Sequence, residues 1–174
     1  MELTKETQAT TTKKLFITCL DHDIKPFILD ELNIRSTEMI VLKSYDNVIS
    51  HPFDSIIRNI IISIYENNVD EIYIIGEQEA KRRTLDRELI MRKMNDDGIT
   101  KNAIKTLEYL KDPIGEDMYQ WLVGDENCIE SAIKKSKATI SNHPLIPNRI
   151  SVRGLLVNNE KETVTYLEDQ FANQ

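Results

Sequence analysis

Cysteine is scarce: the chain of 174 residues has two, Cys19 and Cys128. Two thiols build no disulfide framework, so a reducing, cytoplasmic location is expected. No apolar run approaches the roughly 20 residues that a membrane-crossing helix needs. The first residues, Met1 to Lys14, are polar and threonine-rich and lack the apolar stretch of a signal peptide. No membrane partner is therefore expected. Positive charge is in deficit, with a net charge of −7, which argues against a general nucleic-acid binder. No internal repeat or low-complexity segment interrupts the chain.

What is present is an ordinary globular balance, 29% charged and 40% apolar. The length suits one domain with a sizeable core. Residues 1–14 read as an N-terminal arm, flexible or dependent on a partner, and residues 15–174 as a single domain.

The organising stretch runs from Asp70 to Arg83. Ile72, Tyr73, Ile74 and Ile75 form a short apolar run, Gly76 breaks it, and polar residues follow. That pattern predicts a strand buried on both faces of a parallel sheet. Ligands of open α/β sheets bind beyond the carboxyl ends of such strands, so Glu77, Gln78, Glu79 and Ala80 are where chemistry is expected.

Other apolar runs predict strands at Leu15–Cys19, Met39–Lys43 and Ile150–Val157, with an edge strand at Thr163–Tyr166. Pro26 suits the first turn of a helix carrying Phe27, Ile28, Leu29 and Leu32. Asp54 or Ser55 can cap a helix on which Ile56, Ile57, Ile60, Ile61 and Ile64 fall at helical spacing. Their β-branching alone would also allow a strand. Leu85, Leu89, Ile90 and Met94 make a further stripe ending near Gly98. Thr100 can cap a helix holding Ile104 and Leu107, and Asp112-Pro113-Ile114-Gly115 is a turn. Ile129, Ala132, Ile133 and Ile140 lie on a long helix from about Glu126. Strands alternating with helices imply an α/β fold, a mainly parallel central sheet flanked by helices.

Several side chains admit two uses. Cys19 is a metal ligand or a small buried hydrophobe. Cys128, at a helix start, is a thiol of modestly lowered pKa or a partly buried helix residue. His22 is a substitute ligand or base, or a solvent-facing loop residue. His51 and His143 each precede proline and read as connector residues. Lys81-Arg82-Arg83 is an anion site or a solvated face.

Three segments carry a family resemblance. Ile129-Glu130-Ser131-Ala132-Ile133-Lys134-Lys135-Ser136 is followed by His143-Pro144-Leu145-Ile146-Pro147 and then Ile150-Ser151-Val152-Arg153-Gly154. Val48-Ile49-Ser50-His51-Pro52-Phe53 with Ser55-Ile56-Ile57-Arg58 is a second, and Asp112-Pro113-Ile114-Gly115 a third. From Leu15 to Tyr166 the chain resembles the β-class carbonic anhydrases, particularly their small bacterial and archaeal members. Active members carry Cys-x-Asp-x-Arg and His-x-x-Cys. The two cysteines and the histidine bind zinc, and the Asp-Arg pair positions or helps deprotonate the bound water.

Carried over by that resemblance, Cys19, Glu77 and Ala80 stand at the metal-ligand positions, and only Cys19 is retained. Asp21 and Asp23 stand at the positions of the Asp-Arg dyad, with the arginine replaced. Ser44-Tyr45-Asp46 replaces the family's Asn-Ala-Gly loop, so Tyr45 and Asp46 are expected to crowd the strand-end cavity. Lys43, Tyr45, Asp46 and Lys81 are candidates to line that pocket.

Ala80 has no donor atom, and Asp23 is an acceptor where a bidentate donor was used. The expectation is a β-carbonic-anhydrase-like protein with its zinc and catalytic motifs largely lost, non-catalytic, and acting through binding or assembly. Under it no cofactor is expected. The alternative is a zinc-dependent carbonic anhydrase with an altered metal site; a second is a small-anion or hard-cation binding protein. Like charges at the strand ends are expected to raise at least one carboxyl pKa, unless Lys43 or the Lys81-Arg82-Arg83 run neutralises them. The resemblance also implies a homodimer or higher even-numbered homo-oligomer, formed by extending one sheet across two subunits and exchanging amino-terminal arms.

Overall fold

A computed structural model describes residues 11–45, 49, 51–78, 86–111, 122 and 128–168. Most of the arm, Asp46, Glu79, Ala80, the Lys81-Arg82-Arg83 run, Leu85 and the expected turn at 112–115 lie outside them.

Among the described residues, five strands form one sheet in the order β2-β1-β3-β4-β5. They are β1 (Lys13–Cys19), β2 (Met39–Ser44), β3 (Val69–Glu77), β4 (Ser151–Asn158) and β5 (Thr163–Leu167). The first four run parallel, and β5 returns antiparallel to β4. The mainly parallel sheet expected from the apolar runs is therefore present. β1 starts two residues before its first fully buried side chain, Leu15, because Lys13 and Lys14 already pair with neighbouring strands.

Alternation along the strands divides the core in two. Leu15, Ile17, Ile72 and Ile74 pack on one face, against α2 (Ser55–Glu66) and the long helix over Ile129–Ser141. Phe16, Tyr73, Ile75, Leu155 and Val157 pack on the other, against α1 (Pro26–Leu32). There Phe16 and Tyr73 stack with ring centroids 5.1 Å apart.

The isoleucine-rich segment is helix, not strand. The Asp54 side chain accepts a hydrogen bond from Ile56 N at 2.9 Å, and Ile57, Ile60 and Ile64 turn inward at helical spacing. Tertiary burial of that stripe overrides the β-propensity of its residues. Pro26 sits in the first turn of α1, and Asn33 closes the helix in the left-handed conformation at φ 53°.

α3 (Arg87–Asp96) and α4 (Lys101–Lys111) follow. Asp86 and Thr100 cap them, accepting from Leu89 N and Ala103 N. The apolar stripe expected on α3 forms a helix but buries none of its residues, and Leu89 is 40% exposed. The long helix, α5, begins at Ile129, with Cys128 as an exposed N-terminal flanking residue rather than a partly buried one.

α5 lies close on the sheet because two glycines allow it. A β-carbon at Gly76 would come within 2.6 Å of Ile129 and 2.7 Å of Ile133. One at Gly154 would come within 2.6 Å of Ile133 Cγ2. All three distances are too short for any real Cβ, so glycine at these positions sets the helix-to-sheet spacing.

Candidate strand-end site

Strand order reverses at β1, which has β2 on one side and β3 on the other. At such a topological switch, the carboxyl ends of β1 and β3 are where sheets of this kind customarily bind ligands in a crevice. Cys19 ends β1, Ser44 ends β2 opposite it, and Glu77 ends β3 opposite Val157 of β4. The loop after β1 turns back sharply: Leu20 N donates to Ser44 O at 2.8 Å and His22 N to Cys19 O at 3.1 Å.

That turn aims His22 at Glu77. His22 Nε2 lies 2.6 Å from Glu77 Oε2, with the two side chains 27% and 18% exposed. The other carboxylate oxygen, Glu77 Oε1, accepts from Asn159 Nδ2, just beyond the end of β4. Three strand ends thus converge on one carboxylate. His22 was expected to face solvent; it is half-buried and paired. Asn159 carried no more in the sequence than a turn signal after β4. The clue to its role is the pairing of Val157 with Glu77, which brings the next turn alongside that carboxylate.

The other predicted residues are distributed around this cluster. Lys43 Nζ bonds Asp23 Oδ1 at 2.6 Å. The hydrogen bond from Lys43, then its charge, holds the Asp23 carboxyl below its ordinary range, with Lys25 adding to the effect. The shift at Asp23 has the sign that neutralisation by a basic side chain produces. Lys43 neutralises Asp23, as anticipated for a basic side chain of these loops, and His22 is the group that meets Glu77.

Cys19 is partly buried, and its thiol donates to Tyr45 O at 3.0 Å. Tyr45 is 42% exposed, and its backbone carbonyl is the acceptor for that thiol. Asp21 is exposed on the same turn. Asp46, Ala80 and Lys81 lie outside the described residues.

Away from this end, His143 is buried and structural. Its Nε2 donates to Pro52 O at 3.1 Å and its Nδ1 accepts from Leu145 N at 3.2 Å, tying the connector before β4 to the loop before α2. His51 Nδ1 accepts from Phe53 N within its own loop.

The same architecture is found in solved β-carbonic anhydrases. Isoform I of Trichomonas vaginalis superposes with a TM-score of 0.67 at 24% identity, over 98% of this chain and 90% of that one. In sequence, a carbonic anhydrase-like protein of Bacillus subtilis (strain 168), YbcF, is 32% identical over 153 residues, 85% of this chain and 82% of its own length. The chain belongs to the β-class carbonic anhydrase family.

A more distant β-carbonic anhydrase, from a pair described as tetrameric in Sordaria macrospora, shares the fold with a TM-score of 0.56 at 14% identity. The match spans 92% of this chain and 82% of that one. No protein-family model matches the chain.

Membership of the β-class carbonic anhydrases implies zinc, which needs three good donors and one open position. The described residues do not fit it. Both Glu77 oxygens are engaged by side chains of this chain, and the Cys19 thiol is directed to a backbone carbonyl. Among the described residues, no three His, Cys, Asp or Glu side chains gather where they could hold a metal ion. No helix among them is long and apolar enough to cross a membrane.

Proposed function

We propose that this chain is a non-catalytic member of the β-class carbonic anhydrase family that works through binding or assembly. The observation that carries this reading is the engagement of Glu77 by His22 and Asn159. Glu77 stands, by resemblance, at the position of the family's zinc-ligating histidine. A carboxylate that already accepts from Asn159 and pairs with His22 is a poor ligand, because metal binding would have to break both contacts. Asp23 supports the same reading. It stands at the family's arginine position and binds Lys43, so no guanidinium from that position orients a water beside Asp21.

In this reading Cys19 and Asp21 are remnants of the ligand set and the dyad, and no cofactor is required. Lys43, Tyr45, Asp46 and Lys81 are the rim through which a ligand would be recognised. The protein acts in the cytoplasm as a homodimer or a higher even-numbered homo-oligomer.

The test is elemental analysis of protein purified without a metal-affinity tag, together with stopped-flow carbon dioxide hydration. Substoichiometric zinc and a rate at the uncatalysed background are expected. One tightly bound zinc per chain with rapid turnover would instead establish the alternative, a zinc-dependent carbonic anhydrase with an altered metal site.

A further inference from the structure

His22, Glu77 and Asn159 come from the ends of β1, β3 and β4, three adjacent strands of the sheet, and each makes its contact outside its own element. In a zinc-bound relative, by resemblance, the metal would join the ends of β1 and β3. Here side chains make that join. We propose that these three residues form a metal-independent clasp, in which His22 and Asn159 are positioning residues that hold Glu77 and close the carboxyl end of the sheet. The proposal builds on the reading of the site as lacking zinc chemistry, but it concerns what holds the strand ends together and can fail while that reading stands.

Directionality in the clasp is defined by chemistry. An ionised carboxylate only accepts, so Asn159 must present Nδ2–H to Oε1, while His22 meets Oε2 at ion-pair distance and is a cationic partner when its ring is protonated. Donation by Asn159 has a consequence. With Nδ2 committed to Glu77, Asn159 Oδ1 is buried and has no hydrogen-bond partner among the described residues. Turning the amide over would set its oxygen against a carboxylate, which is worse than leaving one neutral acceptor unpaired. An unsatisfied oxygen accepted in this orientation is what a clasp dominated by the carboxylate requires.

The clasp also anchors the loop at residues 20–25 at the strand ends. Its second tether is Asp23 on Lys43, so the loop after β1 is fastened to β3 on one side and to β2 on the other. Neither tether uses a metal.

The test is thermal unfolding of the full chain, purified without a tag, in the presence and absence of EDTA. The clasp predicts the same Tm in both, whereas a fall on chelation would overturn metal independence. His22→Ala should lower Tm by roughly 4 °C, on the scale expected for loss of one partly buried interaction in a chain of this size. His22→Gln, whose side-chain amide can present an N–H to Glu77, should recover part of the loss. Asn159→Asp, nearly isosteric, replaces the donor with a second carboxylate and should lower Tm more than Asn159→Ala. A thermodynamic cycle of His22→Ala and Glu77→Ala separates the clasp from general loop damage: the double variant should be little worse than either single one. Additive losses, or Tm values indistinguishable across these variants, would show that the three residues do not act as a unit.

Discussion

Lys43 Nζ and Asp23 Oδ1 stand 2.6 Å apart, joining the end of β2 to the loop that follows β1. Because Asp23 is fully exposed, the pair is screened by solvent and salt, yet its effect on the carboxyl is directional. Lys43 lowers the folded pKa beneath the ordinary 3.8. A lowered folded pKa gives stability that is present above the unfolded value and disappears as pH falls through the folded one. Asp23→Asn should therefore lower Tm slightly at neutral pH. The gap between variant and wild type should close on acidification below about pH 4. It should also shrink in molar salt. A gap that persists unchanged into strong acid would mean that the aspartate acts through something other than its charge.

Ile133 rests directly on Gly154, and no β-carbon fits between them. Gly154→Ala should cost about 1–3 kcal/mol by overpacking, a fall of roughly 2–4 °C in Tm for each kcal/mol. The clash is with a branched methyl rather than the tip of a flexible chain, so relaxation is limited. Combining Gly154→Ala with Ile133→Ala removes the clashing atom, and the double variant should be more stable than the sum of the single losses predicts. Denaturant titration of the four proteins measures this coupling.

Ser136 on α5 is fully buried and its hydroxyl accepts from Ile49 N at 2.8 Å. That bond pins the chain shortly after Tyr45, whose carbonyl receives the Cys19 thiol. Ser136→Ala leaves a buried N–H without this acceptor and should destabilise by about 1–3 kcal/mol. Hydrogen exchange should locate the loss of protection at Ile49, with the central strands β1 and β3 exchanging as slowly as before. Uniform loss across the sheet would place the serine in the global core instead.

Among the described residues, β2 and β5 are the outer strands of the sheet, and an unpaired edge invites pairing with another chain. An even-numbered homo-oligomer is expected, and multi-angle light scattering at micromolar concentration measures it. A monomer under those conditions would count against assembly through either edge. Deleting residues 1–10 should weaken the oligomer if the arm is exchanged between subunits.

The elements themselves were legible from local pattern. Runs such as Leu15–Cys19 and Ile72–Gly76 are short, largely apolar on successive residues and mostly β-branched or aromatic, as a strand covered on both faces requires. The Ile56–Ile64 stripe was readable as helix because its spacing, not its composition, matches what the sheet must bury. Boundaries were less so: α5 begins at Ile129 rather than near Glu126. The family, too, was written in short contiguous segments, and the proposed replacements at Asp23, Glu77 and Ala80 rest on that resemblance.

Which side chains would meet at the strand ends was a different matter. Amino-acid order determined that Glu77 follows a buried strand and that His22 follows another, but not that they touch. Contact depends on β1 and β3 being neighbours, on their register, and on a two-bond turn at Leu20 and His22 that folds the imidazole back over the strand ends. Asn159 enters because β4 pairs with β3 so that Val157 lies opposite Glu77. Lys43 could have met any of several carboxylates, and its placement on β2 assigned it to Asp23. The physical reason is range. Secondary structure follows from interactions a few residues apart, whereas a polar cluster is selected by the adjacency of strands distant in the chain, and that adjacency exists only once the sheet has formed.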